Sequence, residues 1–319
     1  MEVVQRHWDT LLGWCAPSLR SDAWLHSPPE SWKARGVTPH LGDIARFKRF
    51  TRLSGGTLNP PDRPRAVSPN ETLPYPDCSQ VERVRNSLML ARMMLRVERH
   101  SLRHGHGLFR HIRETSTGDL RRVTLFHNSI TDLSIRMSYY RHRVLSLAAR
   151  SPIISRRYLE IGAGFGALAR YVLDSPLSRD AHYVICDLPE FLPVCYWYLR
   201  SSGIKVAPFG DPDSATSRVL LTTGEHLPRV GKVDVAINTM SFQHMTIENI
   251  RYYLGQLDFL GVDTVFLVNR DKQRDPTDVP ISRYPRPVGF QVESDHRAWN
   301  GGTHREQVWG RVGYSLGRP

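Results

Sequence analysis

Cysteine is scarce in this chain of 319 residues. The four present, Cys15, Cys78, Cys186 and Cys195, stand far apart and form no C-x-x-C pair. Neither a disulfide framework nor a zinc site is expected, and all four read as free thiols. No run approaches the roughly 18 apolar residues that a membrane span needs. The opening Met-Glu-Val-Val-Gln-Arg-His-Trp has no apolar signal-peptide core. A cytoplasmic protein with no membrane partner is therefore expected. Internal repeats and low-complexity tracts are absent too, which leaves no reason to expect a repeat architecture.

Lysine is also rare, with 5 against 38 arginines, yet the net charge is +12. Residues 1–150 hold 24 basic and 13 acidic residues, and residues 151–319 hold 19 and 18, so the excess belongs to the N-terminal half. Such a surface could attract nucleic acid, a nucleotide-linked sugar or a phosphorylated metabolite; the plainer reading is a solvated helix face in an arginine-rich chain. Hydrophobic content of 40% and charged content of 23% are those of a globular protein.

Organisation changes near residue 150. Residues 1–58 hold Trp8, Trp14, Trp24 and Trp32 among polar residues, as short helices docked on something larger would. Residues 59–77 contain six prolines and read as a loop. Helical periodicity covers about 79–103 and 129–149. From 155 onward strands and helices alternate. Strands are expected at 157–161, 182–186, 218–222, 233–238 and 264–268, with a closing pair near 288–292 and 307–312. Helices are expected at 166–174, 192–199 and 247–259. This is an α/β pattern: a mostly helical cap region over 1–150 and a parallel, Rossmann-like sheet over 151–319. Ligands of such sheets sit at the carboxyl ends of the strands.

The strongest motif lies at one such end. Tyr158-Leu-Glu-Ile-Gly-Ala-Gly-Phe-Gly166 is a strand, a turn with three glycines and the start of a helix. Glycines let the backbone turn sharply and approach a ligand closely, and the helix start offers free N–H groups. Gly162, Gly164 and Ala167 fit the dinucleotide fingerprint, and Asp187 lies at the distance of a ribose-binding acid. Read from Glu160, the same residues spell E-x-G-x-G-x-G, a pattern similar to the first motif of class I S-adenosylmethionine (SAM) methyltransferases. A turn with no ligand is the third reading. Asp187 could bind ribose hydroxyls or cap the next helix, since Asp is a favoured cap and Pro189 suits an early helical position.

The fourth strand ends in Asn238-Thr-Met-Ser-Phe-Gln-His244. His244 is a candidate general base because its ordinary pKa lies near working pH; the alternative is that it only packs or caps. His127, Asp132, His296 and His304 are the other candidates for that role. Asp271, Asp275 and Asp278 could ligate Mg²⁺, but Arg and Lys interleave them, so a solvated loop and no metal are expected.

Four blocks together, Leu159-Glu-Ile-Gly-Ala-Gly-Phe-Gly166, Asp187-Leu-Pro-Glu190, Asn238-Thr-Met-Ser-Phe-Gln243 and Leu267-Val-Asn-Arg270, resemble a family of bacterial sugar O-methyltransferases over about residues 120–315. The resemblance implies a class I methyltransferase fold with SAM as cofactor and a small-molecule acceptor. That acceptor would be a sugar or glycosylated natural product, anionic or neutral, rather than nucleic acid, and a homodimer is left open. It also implies that Glu160, Gly162, Ala163, Gly164, Asp187, Leu188, Asn238 and Thr239 hold SAM, and that Ser241 and Gln243 line the transfer site. His304 and Tyr140 would face the acceptor, and the aromatics Trp8, Trp14, Tyr139 and Tyr140 would form an apolar lid, or else plain core. Where the family has Ser-Phe-x-Glu-Met, this chain has Ser241-Phe-Gln-His-Met245. RNA methylation, SAM binding without turnover and NAD(P) oxidoreduction are the competing functions.

Overall fold

Long apolar runs from 157 onward build the centre of the protein, seen in a computed structural model. It describes residues 6–7, 10–11, 14, 80–102, 123–125, 128–130, 132–150, 157–189, 191–273, 279–299 and 302–313. The chain divides into two compact units, one of Met1–His26 with Arg141–Pro319 and one of Ser27–Tyr140. The start of the chain thus groups with the large sheet.

In the smaller unit, helix α1 (Gln80–Leu102) buries Leu90, Met94, Val97 and Ser101 at helical spacing. Strands β1 (Val123–Leu125) and β2 (Asn128–Ile130) form an antiparallel pair. Helix α2 (Asp132–Ala148) crosses the division at residue 140. The Pro-rich segment 59–77, His127 and the tryptophans 8, 24 and 32 lie outside the described residues. Among the described residues no helix is long and apolar enough to cross a membrane.

The larger unit is an eight-stranded sheet. Its elements are β3 (Arg157–Ile161), α3 (Ala167–Leu173), β4 (His182–Cys186), α4 (Leu192–Ser201), β5 (Val206–Pro208), β6 (Val219–Thr222), β7 (Val235–Thr239), α5 (Ile247–Phe259), β8 (Thr264–Arg270), β9 (Phe290–Arg297) and β10 (His304–Arg311). The order is β5-β6-β4-β3-β7-β8-β10-β9, parallel from β5 to β8, with β10 antiparallel between β8 and β9. This is the mostly parallel, Rossmann-like sheet that the sequence pattern implies, with the short β5 at one edge. The order reverses beside β3, which is where open α/β sheets bind ligands.

Sheet parity sorts the side chains. Leu159, Ile161, Val184, Cys186, Ala236, Val265, Leu267 and Trp309 face one side and pack with Ile250, Leu254 and Leu257 of α5. Each such buried apolar side chain contributes roughly 1.5–3 kcal/mol. Tyr158, Glu160, Tyr183, Phe266 and Glu306 alternate with them and face the other side. Both edges are poor templates for further pairing: β5 has three residues, and β9 is largely exposed and charged.

The N-terminal residues are held by charge. Arg6 donates to Asp211 (2.8 Å) and Asp213 (2.9 Å), and His7 bridges Tyr196 and Asp211, at 3.1 Å each. Leu11 is fully buried. Burial alone would raise the Asp211 carboxyl; hydrogen bonds from Arg6, the Asp213 N–H and His7 outweigh it and hold it at about 2. A depressed carboxylate stabilises the fold above its ordinary value near 4, and that contribution fades as pH falls toward 2. Asp211→Asn is therefore expected to lower unfolding free energy at pH 7 by about 1–3 kcal/mol. In denaturant titrations the difference from the parent should shrink below pH 4.

Candidate functional site

The glycine turn leaves β3 with its first N–H still in the ladder, Gly162 donating to Cys186 O at 2.8 Å. All three glycines have positive φ, 74°, 60° and 83°, a region where side chains are strained. Their surroundings differ. A Cβ at Gly162 would overlap the Ser241 side chain, and one at Gly166 would come within 2.7 Å of Cys195 Sγ on α4. A Cβ at Gly164 would meet nothing within 4 Å. The outer two glycines permit close packing, while the middle one faces open space that a ligand could fill.

Two acids flank this turn. Asp187, just past β4, accepts from Gly164 N–H and from its own neighbour Leu188 N–H, both at 2.7 Å. It does not cap α4, which starts at Leu192 with Phe191 before it. Glu160 is buried and accepts from Tyr183 Oη at 2.9 Å. Burial pushes its carboxyl up to about 8, against the pull of that hydroxyl. Ala163 and Leu188, named with these residues from the sequence, lie in the same two loops, half-buried.

The loop after β7 is held from inside. Asn238 donates from Nδ2 to Ile161 O (2.7 Å), and its Oδ1 accepts from Phe242 N–H (3.1 Å) and Asn269 Nδ2 (2.9 Å). Its side chain ties strand ends together rather than pointing outward. Thr239 ends β7, half-buried. Met240 has φ of 60°, the one non-glycine with positive φ among the described residues, and donates to Val268 O at 2.7 Å. Strain of that kind gathers at functional loops, and nothing in the sequence announces it. Ser241 packs against Gly162.

Gln243 is buried, and its Oε1 accepts from Arg270 N–H at 3.0 Å. That bond fixes the amide, so its Nε2 donates to His244 Nε2, 3.1 Å away. The exposed His244 therefore has its Nε2 lone pair engaged. His304 opens β10 opposite Arg270, rather than lying in the preceding loop. Tyr140 is fully buried against Tyr139 in the smaller unit. Asp132 is the first residue of α2.

Three features went unseen in the sequence. Phe209 and His226, after β5 and β6, stack at 5.6 Å, and Trp14 lies 5.4 Å from His226. Glu306 is completely buried against Arg143. Among the described residues one cluster has metal-ligand chemistry, His7, Asp211 and Asp213. The Arg6 guanidinium already takes the cation's place between its two carboxylates.

Comparison with family models and with curated proteins gives no match. Among solved structures the chain is similar to TrmN from Thermus thermophilus, with 19% identity, TM-score 0.38 and coverage of 55% of this chain and 48% of that one. It is similar to the mitomycin 7-O-methyltransferase MmcR, with 14% identity, TM-score 0.37 and 56% of each chain. A SAM-dependent methyltransferase from Aquifex aeolicus gives 13% identity, TM-score 0.38, and 54% and 89% of the two chains. The chain thus spans about half the length of the first two. The fold assignment rests on strand order and register.

The glycines differ in a measurable way. Gly162→Ala, with a strained φ and an occupied site, should lose roughly 2–5 kcal/mol. Gly164→Ala, with the φ cost alone, should lose about 1–2 kcal/mol in the same denaturant titration. Glu160 predicts a pH effect. Its folded-state pKa is raised, so its contribution is full below about 4.5 and declines, by at most about 1.4 kcal/mol per unit, as pH rises to about 8. Glu160→Gln should gain on the parent protein between pH 5 and 8; parallel stability curves would contradict a proton held there.

Proposed function

We propose that this chain is a SAM-dependent methyltransferase acting on an oxygen of a small molecule, a sugar or glycoside. The observation that carries the reading is the Gly164 turn, open on its ligand side and flanked by Glu160 and Asp187. Gly164 N–H, which a phosphate would seek, is already given to Asp187, and this disfavours the pyrophosphate of a dinucleotide. The Asp187 carboxylate suits a cationic nucleoside. Asp187 accepts at Gly164 and Leu188, at the strand end where the ribose of a nucleoside would lie.

When bound, SAM supplies a methyl group already activated on a sulfonium. The chain's residues then have three tasks: to hold that group, to align an acceptor oxygen with it, and to take up a proton. Gly162, Ala163 and Gly164 form the cradle with Leu188 and Thr239, and Asn238 keeps the adjoining strand ends in place. Burial raises the Glu160 carboxyl to about 8, which favours its protonated form at pH 7, and a cation bound nearby would favour loss of that proton to solvent. The sugar acceptor is supported by the four-block resemblance alone.

Calorimetry with SAM, its demethylated product and NADH tests the cofactor. SAM and its product should bind, with net proton release at pH 7 seen as a dependence of heat on buffer, and NADH should not bind. Labelled SAM offered with p-nitrophenyl glycosides and UDP-glucose tests the acceptor. Transfer to tRNA or to protein alone would overturn the sugar assignment and favour the basic N-terminal half as an RNA-binding surface.

A further inference from the structure

Helix α1 presents two faces of different chemistry. Leu90, Met94, Val97 and Ser101 are buried, while Leu88, Leu95 and Leu102 are 55%, 50% and 58% exposed. Arg92, Arg96 and Arg99 are exposed with those leucines. At about 3.6 residues per turn the leucines and arginines fall on one side of the helix, opposite the buried set. A single exposed leucine is ordinary on a protein surface. Here three recur every seventh residue, as a ridge about 21 Å long. Leu88 and Leu95 are each followed four residues later by an arginine, and Val81 and Arg85 stand one heptad earlier in the sequence.

This is the spacing of a coiled-coil seam, with leucine at position d of the heptad and arginine at position a. Such a seam packs against a second helix, and the charge at position a selects which one. A second copy of α1 would bring three arginines from each helix and only Glu98, half-buried at the flank, to meet them. A cation taken into a seam without a partner is costly. The leucines cover an arc of only about 40°, with the arginines all to one side of it. A helix lying in a lipid surface has a broader apolar face. Nucleic acid would use the arginines and leave the leucines in water.

We propose that this ridge docks an acidic amphipathic helix of another protein, with apolar side chains against Leu88, Leu95 and Leu102 and carboxylates against Arg92 and Arg99. Burial of the leucines supplies most of the affinity, while the arginines set the choice of partner and its register. Arg96, at the margin of the ridge, meets a further acid at the rim. The surface belongs to the smaller unit and does not depend on the chemistry of the glycine turn.

Fluorescence anisotropy with the full chain tests the proposal. Two labelled three-heptad peptides are the probes, one with leucine at d and glutamate at a, for parallel pairing, and one with the two exchanged, for antiparallel pairing. One of them should bind. Leu95→Glu and, separately, Leu102→Glu should each weaken that binding at least about tenfold. Both positions are exposed, and an unchanged melting temperature shows that the fold is kept; if one variant melts lower, the other decides. Arg92→Glu/Arg99→Glu should lose the glutamate peptide and gain the same peptide with lysine in place of glutamate. No binding of either glutamate peptide at ~1 mM, or binding that these variants leave within threefold of the parent, would overturn the proposal. So would a dimer of the parent chain in sedimentation that Leu95→Glu dissolves. Phosphatidylserine–phosphatidylcholine vesicles or tRNA bound through the same residues, with neither peptide bound, would overturn it too.

Discussion

One buried amide, that of Asn238, organises the carboxyl end of the sheet. Three hydrogen bonds from its side chain join the last carbonyl of β3, the loop after β7 and the side chain of Asn269 on β8. Buried polar groups that are satisfied in this way specify one arrangement of the strands they join. Three other features follow from that junction. Ser241 is brought so close to Gly162 that only glycine fits there. Met240 is held at a positive φ by its bond to Val268 O. Gln243 is pinned by Asn269 Oδ1 at its backbone and by Arg270 N–H at its side chain. The shape of the glycine cradle is therefore inherited from the sheet beneath it.

The central strands were legible because parallel strands covered on both faces read as unbroken apolar runs. β4 and β3 have the bounds that their sequences suggest. At the margins the signal fails for physical reasons. β8 runs on to Arg270, past Asn269, a polar residue that is fully buried because Asn238 satisfies it. β9 extends through Glu293, Asp295 and Arg297, where an edge strand facing water shows no apolar alternation. β10 begins at His304, and its inward Glu306 interrupts the run that marked the rest. β5 has only three residues, too few for a pattern.

For the candidate site, sequence indicated where the polar residues would lie better than which way they would point. Glu160, the glycines, Asp187, Asn238 and Gln243 all come to the carboxyl ends, as strand–turn–helix spacing implies. Yet Asn238 and Gln243 turn inward, and Asp187 bonds back to the turn. Those directions depend on partners more than 20 residues away, which a local pattern does not contain. The Arg143–Glu306 pair is the extreme case, with 163 residues between the partners.

The docking of the first residues makes the smaller unit an insertion. Arg6 meets Asp211 across 205 residues, so the segment 27–140 leaves from and returns to the same body. A ribosome would release the opening helical residues long before their partners exist, and they must wait in solution through the synthesis of everything between. Closing so long a loop costs only slightly more than closing one of half the length, because the penalty grows with the logarithm. It does delay the last step, since contacts distant in sequence form late. The large unit is thereby built from both sides of that segment, and the contacts of Arg6 and His7 with Asp211 join the two parts.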